Sequence, residues 1–141
     1  MRVALRLLVA REHSPLELTR KLSARGLDPD AIAGALARLI DEGALDESRL
    51  AAHYVAERAG KGFGPQRIRA ELRDKGLADS LIDRHLQPMN DTWPEVLAHT
   101  HERRFGRSQP SDRSDYAKRA RFLEQRGFTP DSIRRLLRFP D

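Results

Sequence analysis

Three glycines, Gly26, Gly76 and Gly127, stand 50 and then 51 positions apart, each in the same surroundings. A leucine lies four positions before each (Leu22, Leu72, Leu123) and a cation immediately before (Arg25, Lys75, Arg126). A large apolar residue follows at once (Leu27, Leu77, Phe128). Ile32, Ile82 and Ile133 come six positions after the glycines, and Leu36, Leu86 and Leu137 ten after. Self-similarity at a fixed period of this length marks a tandem array whose units are single supersecondary elements. Within the pattern, glycine is the residue that ends a helix in a left-handed conformation without a Cβ clash. The later isoleucine and leucine, four apart, share one face of a following helix.

Each period reads as three helices. In the first, Leu5, Leu8 and Val9 are spaced for an inward face. Ser14-Pro15-Leu16-Glu17 is a capping box that opens a second helix with Leu18 and Leu22 inward. Asp28-Pro29-Asp30 opens a third, with Ile32, Leu36, Leu39 and Ile40 inward and Gly43 closing it. The next period begins at Asp46-Glu47-Ser48, with Leu50, Tyr54 and Val55 as its first stripe, ending near Gly60. Its second helix starts at Gly64-Pro65, where a proline in the first turn costs no hydrogen bond, and carries Ile68 and Leu72. Its third spans Asp79 to Leu86. Gln87 to Asp91 is a linker and the best place for a hinge. Thr92-Trp93-Pro94-Glu95 reads as another capping box, with Trp93 anchoring the last unit together with Val96, Leu97 and Phe105. Helices from about Asp115 to Arg126 and from Pro130 to Phe139 complete it. No segment alternates with period two for the length of a strand. The expectation is an all-α protein of three tandem three-helix repeats, residues 1–45, 46–91 and 92–141, forming an elongated, curved body.

Charge is segregated along this array. Residues 1–57 hold 8 cations against 9 carboxylates, 58–76 hold 6 against 2, 77–98 hold 1 against 4, and 99–141 hold 11 against 6. Two basic blocks therefore flank an acidic one, which points to a polyanionic partner or an acidic protein surface. The expected binding residues are Lys61, Arg67, Arg69, Arg73 and Lys75 in the middle unit, and Arg103, Arg104, Lys118, Arg119, Arg121, Arg126 and Arg134 in the last. Few aromatics accompany them, so base stacking is not the expected mode. Arg119 departs from the repeat, since Leu18 and Ile68 hold the equivalent positions.

Other chemistries fit poorly. Gly60-Lys61-Gly62-Phe63-Gly64 lacks the Gly-Lys-Ser/Thr ending and preceding strand of a phosphate loop, and reads as a flexible turn. His99 and His101 are two apart on a helix and point to different sides, so no metal site is expected. His13, His53 and His85 read as surface or edge residues. No nucleophile–base–orienter set stands out, so neither an enzyme nor a cofactor is expected. There is no cysteine, which fits a reducing cytoplasm, and no apolar run approaches the roughly 20 residues of a membrane helix. Met1 to Ala10 is interrupted by Arg6 and continues as an amphipathic helix, unlike a signal peptide.

Three residue sets carry a resemblance to a known family. They are Ala4-Leu5-Arg6-Leu7-Leu8 with Arg11-Glu12-His13-Ser14 and Glu17 to Leu22; Leu45 to Ala51 with Gly62-Phe63-Gly64-Pro65-Gln66-Arg67-Ile68-Arg69-Ala70-Glu71-Leu72; and Arg121 to Phe128. The chain resembles, over nearly its whole length, the RecX family of recombinase regulators. The resemblance implies a monomeric cytoplasmic protein of DNA repair, homologous recombination and the SOS response. It would bind the RecA recombinase filament on single-stranded DNA and restrain strand exchange, ATP hydrolysis and co-protease action. The alternative is a free-standing helical DNA-binding protein acting without RecA.

Overall fold

A computed structural model of the chain describes residues 1–140, and among them every regular element is helical. The helices are α1 (Arg2–Ala10), α2 (Pro15–Ala24), α3 (Pro29–Asp41), α4 (Glu47–Gly60), α5 (Pro65–Asp74), α6 (Asp79–Leu86), α7 (Trp93–Phe105), α8 (Arg113–Gln125) and α9 (Pro130–Leu136). A single 3₁₀ turn, Gln87–Met89, follows α6.

The repeat is a repeated helix stop. The glycine N–H groups of Gly26, Gly76 and Gly127 donate to the carbonyls of Ser23, Arg73 and Glu124. The apolar residue after each glycine donates back to the leucine carbonyl, Leu27 to Leu22, Leu77 to Leu72 and Phe128 to Leu123, at 3.3, 3.2 and 3.1 Å. This double closure requires a positive φ at the glycine, and the three angles are 82°, 88° and 102°. Local starts are equally legible. Ser14 and Glu17 form the reciprocal capping box, and Asp28, Asp46 and Thr129 cap α3, α4 and α9 with their side chains. Thr92 does not: its backbone is already helical and its side chain caps nothing, because the 3₁₀ turn winds α6 almost directly into α7.

Three small cores result. Ala4, Leu18, Leu22, Ile32, Leu39 and Leu45 form the first. Leu50, Ala51, Val55, Ile68, Leu72 and Ile82 centre the second. Leu97, Leu123, Phe128, Ile133 and Leu137 form the third. The leucine before each glycine and the isoleucine after it are buried in all three units, while Leu36 is half-buried where Leu86 and Leu137 are buried. Three details differ from the sequence reading. Ala4 is the buried residue of α1, with Leu7 and Leu8 half-buried, while Leu5 and Val9 lie exposed; Ile40 is exposed as well. Trp93 packs into the second core, and Met89 of the turn packs beside it. The end of α9 at Leu136 falls short of Phe139.

The substantial helix pairings all lie within a unit; the units meet through polar joints, and the second and third also through Trp93 and Val96, which pack on the second core. The two joints run in the same direction. At the first, the Ser14 hydroxyl at the start of α2 accepts from the Glu17 N–H and donates to the Lys75 carbonyl at the end of α5. At the second, the Gly64 and Gln66 N–H groups at the start of α5 donate to the Arg126 and Gly127 carbonyls at the end of α8, at 2.8 and 2.9 Å. The middle helices thus run end to start, α8 onto α5 and α5 onto α2. Each joint gives a partner to carbonyls that a helix end leaves open, the Ser14 hydroxyl at the first and the Gly64 and Gln66 N–H groups at the second, and brings the negative end of one helix dipole to the positive end of the next. Among the described residues no hydrogen bond or ion pair links the first unit to the third.

Candidate functional site

The second joint collects cations. Gly62 and Gly64 are not a slack turn: a Cβ on Gly64 would lie 2.6 Å from the Gly127 carbonyl oxygen, and one on Gly62 2.9 Å from the Thr100 hydroxyl. Between these glycines Phe63 offers its ring to three guanidinium groups, those of Arg58, Arg126 and Arg67, at 3.8, 4.4 and 4.6 Å from its centre. Glu71 takes the Arg58 guanidinium in a two-pronged pair at 3.0 Å and approaches Arg67 at 3.9 Å. Arg126 has no carboxylate partner among the described residues. Burial and the neighbouring charges of Arg67, Arg58 and Arg103 push its pKa below the usual arginine value. Its N–H donates to the Lys61 carbonyl at 3.4 Å, and the Arg67 side chain donates to the Gln125 carbonyl at 3.1 Å.

Beside this cluster an open cleft of about 560 Å³ runs between the end of α4 and the faces of α7 and α8. Lys61, Arg103, Arg104 and Arg126 supply its charge, with His99 on the rim and Glu95 the single carboxylate of the lining. Phe122 forms part of the wall, with the Arg126 and Arg104 guanidinium groups 5.3 and 5.5 Å from its ring centre. Arg103 and Arg104 are exposed and make no ion pair among the described residues.

The expected binding residues therefore divide. Lys61, Arg103, Arg104 and Arg126 meet in the cleft and Arg67 borders it; of the four, Lys61 is paired, with the exposed Glu57 at 3.0 Å. Lys118 and Arg121 are exposed and unpaired among the described residues. Arg73 and Arg134 are exposed but paired, with Asp79 at 2.6 Å and Asp131 at 2.7 Å. Arg69 is half-buried against Asp83. Lys75, expected to be wet, is 17% exposed, bonded to Glu17 at 2.9 Å and 5.0 Å from the centre of the Tyr54 ring. It belongs to the first joint.

Arg119 is the clearest correction. At 6% exposure it cannot present charge to a partner. It reaches Asp115 at 3.0 Å, donates to the Ser108 carbonyl, and donates to the His101 Nε2 at 3.1 Å. Burial and the Arg119 charge hold His101 below its ordinary pKa, as a neutral acceptor. Arg119 thus ties the long loop before α8 to α7 from a position where the other units have plain core. His13 is likewise buried, not at an edge: its Nδ1 meets the Arg11 carbonyl at 2.9 Å and its Nε2 the Lys21 ammonium at 2.8 Å. Removing one partner of a buried ion pair costs far more than replacing both by apolar side chains. Arg119→Leu restores the pattern of Leu18 and Ile68 but strands Asp115 and the Ser108 carbonyl, so it is expected to cost about 2 kcal/mol in urea unfolding. No loss would show that the loop does not depend on the guanidinium.

The sequence reading missed Arg58, Phe63 and Phe122 as parts of this site. The one available signal was Phe63 itself, an aromatic between two glycines at a helix start.

Family comparisons follow the same three-part division. The model for the first three-helix domain of RecX matches residues 1–39, that for the second 46–86, and that for the third 94–137. The regulatory protein RecX of Ectopseudomonas mendocina is 47% identical over 137 residues, 97% of this chain and 91% of that protein. Its counterpart in Xanthomonas citri is 48% identical over 136 residues, 96% of this chain and 84% of that protein. The crystal structure of RecX from Lactobacillus salivarius superposes with a TM-score of 0.78 at 25% identity, over 96% of this chain and 90% of that one.

Proposed function

The chain belongs to the RecX family of regulatory proteins, and from that premise we propose that it regulates the RecA recombinase. It binds the filament that RecA forms on single-stranded DNA, occupies the filament groove, and so restrains strand exchange, ATP hydrolysis and co-protease action. The observation that carries this reading is the joining of units in series. Two joints running in the same direction link three small cores in series, which suits a body that lies along a helical groove and touches successive protomers. Exposed cations of the middle and last units, among them Arg67, Lys118 and Arg121, supply attraction to an acidic filament surface. The surface pairs of Arg73 and Arg134 are worth at most about 1 kcal/mol each, so those side chains are free to change partners on binding.

The test is RecA's DNA-dependent ATP hydrolysis as the protein is titrated in, at fixed salt. Suppression is expected at concentrations well below those that coat the DNA. Inhibition only at coating concentrations would reduce the mechanism to competition for the strand, and no inhibition would overturn the reading.

A further inference from the structure

The cleft at the second joint has the makings of a specific site, and its chemistry selects an occupant. Four cations line it against the one carboxylate of Glu95. A single acidic side chain would leave most of that charge unanswered, whereas a nucleic-acid strand brings one negative charge per nucleotide. The aromatic faces are already taken, since guanidinium groups lie over both Phe63 and Phe122. The large apolar side chains left exposed, Met1, Leu5, Val9, Ile40 and Phe139, all lie outside the cleft. A protein partner would be anchored by buried aromatic or apolar residues, and of large ones the cleft offers only the half-buried Val96 and the guanidinium-covered Phe122. A guanidinium lying on a ring still has its N–H edge for two oxygens of a phosphate. Finally, Arg126 is held in a field of like charges, an arrangement an incoming anion relieves.

We propose that this cleft is the place where the protein itself grips a single strand of nucleic acid, through its phosphates and without reading sequence. The inference rests on the filament-binding reading and deepens it by separating the residues that touch the strand from those that touch protein. Because Lys61 comes from the middle unit and Arg103, Arg104 and Arg126 from the last, a strand in the cleft also bridges the joint.

The experiment needs no RecA. A fluorescein-labelled oligothymidylate is titrated with the full chain at several salt concentrations, and binding is read by anisotropy. The double variant Arg103→Glu/Arg104→Glu leaves the joint untouched, since neither side chain holds it. It is compared with Arg20→Glu/Arg84→Glu, the same charge change at exposed cations that make no ion pair among the described residues. The cleft variant is expected to bind at least about tenfold more weakly at moderate salt, with the slope of log K against log salt shallower by roughly 1.4, as for two lost phosphate contacts. The control variant should stay near the parent protein. Equal losses in the two variants would mean diffuse attraction and overturn the site, as would an unaffected cleft variant or no binding by the parent. If the cleft variant keeps its oligonucleotide affinity but inhibits RecA less, the cleft faces protein: this inference falls while the filament reading stands.

Discussion

Gly127→Ala is expected to be the most damaging single-methyl substitution in the protein, with a loss on the order of 4 kcal/mol. Two costs combine there. The residue sits at φ 102°, which an alanine adopts only under strain. The new Cβ would also lie 2.4 Å from the Arg67 Cβ and 2.6 Å from the Arg67 backbone nitrogen, and a backbone atom at a helix start has no room to retreat. The equivalent glycines of the other units calibrate the two costs. Gly26 has φ 82° and nothing within 4 Å of its missing Cβ, so Gly26→Ala should lose only the strain, about 1 kcal/mol. Gly76 faces Leu16 side-chain atoms at 2.7 and 2.8 Å. A side chain gives way more readily than backbone, so Gly76→Ala should fall between, at about 2 kcal/mol. Urea unfolding checks the order. The single tryptophan, Trp93, reports the second core while circular dichroism reports all helices, so an undocked last unit in Gly127→Ala should separate the two transitions. Equal losses at the three glycines would mean that close approach at the joints contributes nothing.

That series also shows where the sequence was informative. The helix stops were readable because a leucine, a glycine and an apolar residue at fixed offsets carry their own hydrogen-bond geometry. The capping residues and the leucine–isoleucine pairs were readable for the same reason: the partners of Ser14, Asp28 or Ile82 lie within a turn or one helix away. The joints were not. Gly64 meeting Gly127, or Ser14 meeting Lys75, links residues more than 60 positions apart, and nothing local distinguishes Gly76, packed on a neighbour, from Gly26, which is open. The same limit applies to charge. Composition placed the basic blocks correctly, but burial decided which members remain available. Arg119 and Lys75 were drawn into intramolecular pairs, while Arg103, Arg104 and Arg126 converged on one cleft across a joint the sequence does not announce. Arg119 carried a local warning, since it breaks the apolar pattern of the repeat. Lys75 carried none, because a cation just before the helix-stopping glycine occurs in all three units.

The first joint should announce itself in the pH dependence of stability through Glu17. Burial alone would raise the pKa of this carboxylate. The Lys75 ammonium at 2.9 Å, the Ser14 N–H at 3.0 Å and the Arg11 guanidinium outweigh that and hold it at about 2, against an ordinary value of 4.5. A carboxyl whose pKa is depressed on folding stabilises the native state above its unfolded pKa and loses that contribution as pH falls toward the folded one. The side chain is only 14% exposed, so the shift corresponds to about 3 kcal/mol, fully present above pH 5 and gone near pH 2. Other carboxylates, such as Asp79 and Asp115, are also held below their ordinary pKa by arginine partners, so the parent curve by itself does not isolate the joint. The difference from Glu17→Gln does. Glutamine keeps the acceptor for the Ser14 N–H but strands the Lys75 charge beside the Tyr54 ring. At neutral pH the variant should be less stable by about 3 kcal/mol, and the gap should close steadily between pH 4.5 and pH 2. Lys75→Met in the Glu17→Gln background should recover part of the loss, because it removes the stranded ammonium while the methionine stem still packs on Tyr54. Two parallel stability curves, separated by a constant amount across the acid range, would show that the Glu17 carboxylate is not what fastens the first unit to the second.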